Sequence, residues 1–175
     1  MSVVELKEAI RTIPDFPKPG ILFRDITPLL ENGILFRETI DLLAAECADC
    51  MPSKIVGLDA RGFIFGAALA YRLGLGFVPI RKKGKLPFRT IAQSYDLEYG
   101  AAEFEIHSDS LLPGESVVIV DDLLATGGTA GAAVQLVEKL DAQVLKLLFA
   151  LELLGLGGRE RLKGVEVRSL ITFPA

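Results

Sequence analysis

The chain lacks any excess of positive charge. Its 19 lysines and arginines face 23 aspartates and glutamates, for a formal net charge of -4. A nucleic-acid binder ordinarily carries a basic face, so that class is disfavoured, although a local basic cluster could still hold phosphate groups. Cysteine is scarce, with only Cys47 and Cys50, in the run CADC. A structural zinc site would need a second pair of ligands, and a redox dithiol puts its first cysteine at a helix start. Here the pair closes a helical pattern, which leaves two small apolar thiols kept reduced, as in a cytoplasmic compartment. The one histidine, His107, ends the run EFEIH and belongs to no motif, so a structural role is expected. An unbroken apolar run of membrane length is missing too. Residues 63–80, FIFGAALAYRLGLGFVPI, come nearest, but Arg72 interrupts them and Gly74 and Gly76 divide them. A buried helix followed by a buried strand is expected there, not a membrane span. The opening residues carry acids early and do not read as a signal peptide.

What is present points to an enzyme-sized globular domain. Half of the 175 residues are hydrophobic, which disfavours disorder. A chain of this length buries about 70 % of its unfolded surface. With no repeat, low-complexity tract or linker, residues 1–175 read as one domain.

The elements alternate. Residues 3–13 read as a short amphipathic helix, and the proline-rich yet apolar stretch 14–30 as an ordered loop with a brief strand. Apolar spacing predicts a helix over 36–50. Strands are expected at 54–58, 76–82 and 116–122, with helices over 63–73 and from Ala130 to Leu140. Two more strands are expected at 144–153 and 165–173. SVVIVDD has the continuous valine and isoleucine of a strand buried on both faces. Strand, helix, strand, helix predicts a mostly parallel sheet flanked by helices, an α/β fold. Ligands of such sheets bind beyond the carboxyl ends of the strands. The segments LDARGF, IRKKGK and DDLLATGGT occupy those ends.

DDLLATGGT joins two carboxylates, Asp121 and Asp122, to a loop of small residues entering a helix. Small residues let backbone N–H groups crowd an anion, and the helix N-terminus adds positive potential. A nucleotide triphosphatase loop would carry lysine after the last glycine, where Thr129 stands. Carboxylates beside a phosphate repel it unless they accept sugar hydroxyls or hold magnesium. The ligand implied is a sugar phosphate; the plainer alternative is a turn with capping threonines and acids.

VVIVDDLLATGGT resembles the phosphoribosyl-pyrophosphate motif of the type I phosphoribosyltransferases. PDFPKPGILFRDITPLL (14–30), LDARGFIFGAALA (58–70), IRKKGKLP (80–87) and SYDLEYG (94–100) narrow the resemblance to the adenine phosphoribosyltransferases. It covers about residues 5–173. It implies the type I phosphoribosyltransferase fold, with a small N-terminal hood over about 1–35 and a flexible β flap over about 83–107. The implied reaction joins adenine to 5-phosphoribosyl 1-pyrophosphate, giving AMP and pyrophosphate in purine salvage. Magnesium is implied as cofactor, held mainly by substrate and water, and a cytoplasmic homodimer is expected.

The resemblance also implies roles for residues. Ala125, Thr126, Gly127, Gly128 and Thr129 would hold the 5′-phosphate. Asp121 and Asp122 would accept ribose hydroxyls and steady an oxocarbenium-like sugar. Asp59, Ala60 and Arg61 would form the pyrophosphate loop, with a non-proline cis peptide within residues 59–61. Arg81 and Lys85 would reach pyrophosphate, partly across a dimer interface; a solvated basic turn is the alternative. Glu98 would act as acid or base on a purine ring nitrogen, and Tyr99 would pack over the site. Backbone groups of Leu22 and Arg24 would read the base edge, with Phe23 stacking on one face and Leu153 closing the other. Ordinary core packing is the alternative for Phe23 and Leu153. Phe88 and Arg89 depart from the family, which commonly has a small residue and then a polar one after KGKLP. Transfer to another base is a second possibility. A sensor that keeps the fold to regulate nucleic acid is a third, disfavoured by Glu98 and the negative net charge.

Overall fold

The structure, a computed structural model, describes residues 3–97 and 100–175. The chain opens with α1 (Val3–Glu8), β1 (Arg11–Pro14), β2 (Leu22–Asp25), α2 (Thr27–Glu31) and α3 (Gly33–Ala45). It continues through β3 (Lys54–Leu58), α4 (Gly62–Leu73), β4 (Gly76–Lys82), β5 (Thr90–Leu97) and β6 (Gly100–His107). It ends with β7 (Ser116–Leu124), α5 (Gly128–Glu138), β8 (Gln143–Leu154), α6 (Gly158–Arg161) and β9 (Glu166–Pro174).

Among the described residues, β3 to β9 form a seven-stranded sheet in the order β5-β6-β4-β3-β7-β8-β9. The strands β4, β3, β7, β8 and β9 run parallel. The hairpin of β5 and β6 adds to the β4 edge antiparallel, through Arg81↔Glu105 and Lys82↔Phe104. The strand period of two sorts the side chains of β7 between two cores. Val118 and Val120 pack with Leu6, Leu43, Phe65 and Leu69 from α1, α3 and α4. Val117 and Ile119 pack with Ala133, Leu136 and Val137 of α5, and with Phe104 and Ile106 of β6. With both faces covered, the strand ends become the place where polar groups collect.

Three local expectations are corrected. The helix expected over 3–13 stops at Glu8, and Arg11–Pro14 pairs antiparallel with Leu22–Asp25. Thr12 and Ile13 are β-branched and favour a strand, and Pro14 lacks the donor to continue a helix. The loop expected over 14–30 also contains the start of α2, with proline in its first turn. The helix expected over 36–50 begins earlier and ends at Ala45; the Asn32 side chain accepts the Ile34 and Leu35 N–H groups at 3.1 and 3.2 Å. Cys47 and Cys50 follow in the turn, where burial pushes the Cys47 thiol up to about 12. A reactive dithiol needs the opposite shift. Residues 63–80 divide into α4 and β4. Among the described residues no helix is long and apolar enough to cross a membrane.

Candidate active site

The carboxyl ends of β3, β4 and β7 bring the LDARGF, IRKKGK and DDLLATGGT segments to one side of the sheet. Beyond β3, the Asp59–Ala60 peptide is cis. The Asp59 carboxylate lies 3.4 Å from Arg81 Nε on the adjacent β4. Arg81 also donates through Nη1 to the Lys85 carbonyl at 3.2 Å, tying the start of the basic run to its end. The buried Glu105 carboxylate accepts the Gly84 N–H at 2.9 Å and fixes the turn from β6. Lys83 turns aside to pair with Glu103. Arg81 therefore stands at Asp59 and holds the Lys85 backbone beside it, while the Lys83 side chain pairs elsewhere.

Asp121 and Asp122 stand at the end of β7. Arg61 Nε reaches Asp122 Oδ2 at 2.7 Å, and that carboxylate is 8 % exposed. Asp121 Oδ1 accepts the Asp122 N–H at 2.9 Å. Gly62 lets α4 come this close, since a Cβ there would lie 2.6 Å from Asp121 Oδ1. Burial pushes the Asp121 carboxyl well up, and the neighbouring Asp122 adds repulsion. Burial raises Asp122 as well, against the pull of Arg61. The buried Tyr95 phenol is pushed up by burial, and then by the charges of Asp59 and Asp121. Tyr95 thus feels the charge of the same carboxylates.

The loop 125–129 enters α5 with Gly127 as N-cap at φ +78°, and no side chain caps the helix. Its leading N–H groups are free for an anion. Thr126 is exposed and Thr129 half-buried, while Gly127 and Gly128 are buried. A Cβ on Gly127 would lie 2.7 Å from the Gly158 carbonyl, so the loop rests on the start of α6, backbone against backbone.

The β1–β2 ribbon stands apart from the main sheet, and β2 pairs on one edge only. Alternate backbone groups on its outer edge have no strand partner. Phe23 meets Phe16 edge-on at 5.1 Å, and the Arg61 guanidinium lies 5.6 Å from its ring centre. Phe23, Phe16, Ile13, Ile26, Asp25 and Arg61 help to line a hollow of about 490 Å³. Hydrogen bonds from Thr27 hold the Asp25 carboxyl below the usual range. Leu22, Arg24 and Leu153 do not line this hollow. The Arg24 guanidinium packs over the Phe173 ring at 4.4 Å, which leaves its backbone as the part at the ribbon edge. Leu153, half-buried, pairs in register with Phe173 and packs against the core. Glu98 and Tyr99 lie outside the described residues. A wider hollow of about 720 Å³ at the α2–α3 turn, lined by Pro28, Glu31 and Arg37 among others, draws on none of the strand ends.

The structure adds residues that sequence reasoning missed. Gly62, Asp25 and Tyr95 touch or face the named groups; Gly62 and Asp25 stand inside quoted motifs, while no spacing singles out Tyr95. Glu152 and Arg159 form a two-pronged ion pair behind the 125–129 loop, at 2.7 and 2.6 Å. Among the described residues, no group of three or more histidine, cysteine, aspartate or glutamate side chains could hold a metal ion. Asp122 is engaged by Arg61 and burial raises both carboxyls, so magnesium would be held mainly by substrate phosphates and water rather than by this pair.

The phosphoribosyl transferase domain family matches residues 27–168. The chain is 58 % identical to an adenine phosphoribosyltransferase of Carboxydothermus hydrogenoformans, over 97 % of this chain and 100 % of that one. It superposes on the crystal structure of an adenine phosphoribosyltransferase from Thermoanaerobacter pseudethanolicus with a TM-score of 0.96 and 52 % identity, covering 98 % of this chain and 100 % of that one. A Saccharomyces cerevisiae adenine phosphoribosyltransferase, solved with an imino-altritol bisphosphate and adenine, superposes with a TM-score of 0.93 at 44 % identity. That match covers 96 % of this chain and 97 % of the yeast one. Matched over nearly its whole length, the chain belongs to the adenine phosphoribosyltransferase family.

Proposed function

We propose that this protein transfers the phosphoribosyl group of 5-phosphoribosyl 1-pyrophosphate to adenine, giving AMP and pyrophosphate in purine salvage. The observation that carries the reading is the position of Arg61. Its side chain touches Asp122 at 2.7 Å and approaches the Phe23 ring at 5.6 Å. One residue joins an aromatic hollow fit for a flat base to carboxylates fit for sugar hydroxyls. The choice of adenine is supported by the names of the relatives and by the adenine bound to the yeast protein.

The mechanism follows from the charges. Without ligand, Asp122 is neutralised by Arg61 and Asp59 faces Arg81. Phosphoribosyl pyrophosphate brings partners for both sides: hydroxyls for Asp121 and Asp122, phosphates for Arg61, Arg81 and Lys85. Ala60 and the backbone of residues 59–61 add N–H donors to the pyrophosphate. The N-terminus of α5, with Ala125, Thr126, Gly127, Gly128 and Thr129, holds the 5′-phosphate. The bond from the anomeric carbon to pyrophosphate breaks, its electron pair leaves on pyrophosphate, and a base nitrogen forms the new bond. The carboxylates oppose the positive charge that builds on the sugar between these events. A magnesium ion held by the substrate and water would supply further neutralisation of the leaving-group charge beside Arg61, Arg81 and Lys85.

Phe23 stacks on one face of the base; Leu153, which lies outside the hollow, would close the other face, and backbone groups of Leu22 and Arg24 on the open β2 edge would read the base's rim. Glu98 exchanges a proton with a purine ring nitrogen while Tyr99 closes over it and keeps water from the activated sugar. The working protein is a cytoplasmic homodimer, in which the basic run of one chain completes the pyrophosphate site of the other. Pyrophosphate release from phosphoribosyl pyrophosphate and magnesium tests the reaction. Release matched to AMP and dependent on adenine supports transfer; release without a base means hydrolysis and overturns it.

A further inference from the structure

α6 is a four-residue helix between Gly157 and Leu162, too short to hold its place by its own hydrogen bonds. Arg159 fixes it. Its Nε and Nη2 donate to the two oxygens of Glu152 at 2.7 and 2.6 Å, and Nη1 donates to the Val167 carbonyl at 2.9 Å. Nη2 also reaches Ser169 Oγ at 3.3 Å. One guanidinium thereby ties α6 to the end of β8 and to β9. The Glu152 carboxylate is 5 % exposed, so it has little access to any other partner.

Gly158, one residue before Arg159, forms the back wall of the phosphate loop. A Cβ on Gly158 would collide with the Ala125 carbonyl and lie 2.9 Å from Leu124 Cδ1. A Cβ on Gly127 would lie 2.7 Å from the Gly158 carbonyl. The two backbones touch with nothing between them, and no side chain caps the loop from within. A displacement of α6 therefore passes directly to residues 125–127.

We propose that Arg159 and Glu152 are positioning residues for the 5′-phosphate loop, acting through Gly158. They touch no substrate atom; they set where the loop's N–H groups point. The inference rests on the assignment of residues 125–129 to the 5′-phosphate. It distinguishes the two phosphate sites, because the pyrophosphate groups on β3 and β4 do not lean on α6.

The test uses the full chain and its forward reaction. The KM for phosphoribosyl pyrophosphate is measured together with the inhibition constants of ribose 5-phosphate and of pyrophosphate. Arg159→Lys keeps the charge but loses the two-pronged geometry. It should raise the KM and the ribose 5-phosphate constant on the order of 10–100-fold, as a misplaced binding group does. The pyrophosphate constant should stay near that of the wild type. Parallel weakening of both inhibitors would make the pair a general support of the fold and overturn the proposal. Unchanged constants would overturn it too. If Arg159→Lys does not fold, Glu152→Gln keeps the shape of the pair and one of its hydrogen bonds, and the same ratio is read. A wild-type protein that turns over but is not inhibited by ribose 5-phosphate would instead remove the phosphate assignment itself, and the proposal with it.

Discussion

Asp121 and Asp122 stand side by side at the end of β7 with a single guanidinium, that of Arg61, beside Asp122. Asp121 receives one backbone N–H, from Asp122, and is crowded by Gly62. Asp121 thus sits in a place that resists charge. Asp121→Asn keeps the size and the accepted N–H while removing the repulsion. We expect the ligand-free variant to be more stable at pH 7.5 by about 1–2 kcal/mol, the low end of what relieving a buried charge yields, because Asp121 still opens partly to the cleft. For a chain of this length that is a rise of roughly 2–8 °C in Tm. The pH dependence has a definite sign. The folded pKa of Asp121 is raised, so the folded chain keeps a proton that the unfolded chain releases near pH 4. Wild-type stability from this group is present below that pH and lost as pH climbs through the raised folded value. The advantage of the variant should vanish near pH 4 and grow as the pH rises toward the raised folded value. Turnover should fall about 10²-fold, since an amide no longer opposes the developing positive charge. Urea unfolding of both proteins without ligand, from pH 4 to 8, checks the stability. A variant less stable than the wild type at pH 7.5, or an advantage independent of pH, would refute the reasoning.

Gly127→Ala forces a side chain into φ +78° and against the Gly158 carbonyl. The KM for phosphoribosyl pyrophosphate should rise about 10²-fold; an unchanged KM in initial-rate kinetics would separate loop shape from phosphate binding. Lys146, 3 % exposed, donates to the Glu46 carbonyl at 2.9 Å and pairs with Asp49. Lys146→Ala should cost about 2–3 kcal/mol in urea unfolding, through a cavity and an orphaned carbonyl. Turnover of the surviving protein should be unaffected, since Lys146 sits at the opposite end of β8 from the site. Glu98→Leu should lower kcat far more than affinity for phosphoribosyl pyrophosphate, and equal turnover would remove Glu98 from the chemistry.

The parallel sheet was legible because burial on both faces leaves a simple mark. The run VVIV in β7 and the apolar face of α5 needed no knowledge of their partners. The β1–β2 ribbon was not legible, because Thr12 pairs with Arg24, and pairing of that kind leaves no period in eleven residues. α6 escaped because four residues make one turn, too few for a spacing to repeat. In the candidate site, the paired acids and the loop entering α5 were readable as one continuous segment. The link from Arg61 to Asp122 was not, since it joins two strand ends that become neighbours only when β3 pairs with β7. Tyr95 likewise comes under the charge of Asp59 and Asp121 only once the hairpin pairs with β4. Glu152 and Arg159 lie seven residues apart, yet an acid and a base at that distance are common, and only the contact of Gly158 with Gly127 gives the pair its position behind the phosphate loop.

The most direct test of the central claim is a product assay. The protein is mixed with magnesium and 5-phosphoribosyl 1-pyrophosphate, and separate tubes receive adenine, hypoxanthine, guanine or xanthine. Chromatography then identifies the monophosphate. AMP from the adenine tube alone is the predicted result. A different nucleotide would keep the phosphate site and contradict the base-reading role of the β2 edge, and no product from any base would contradict the transfer itself.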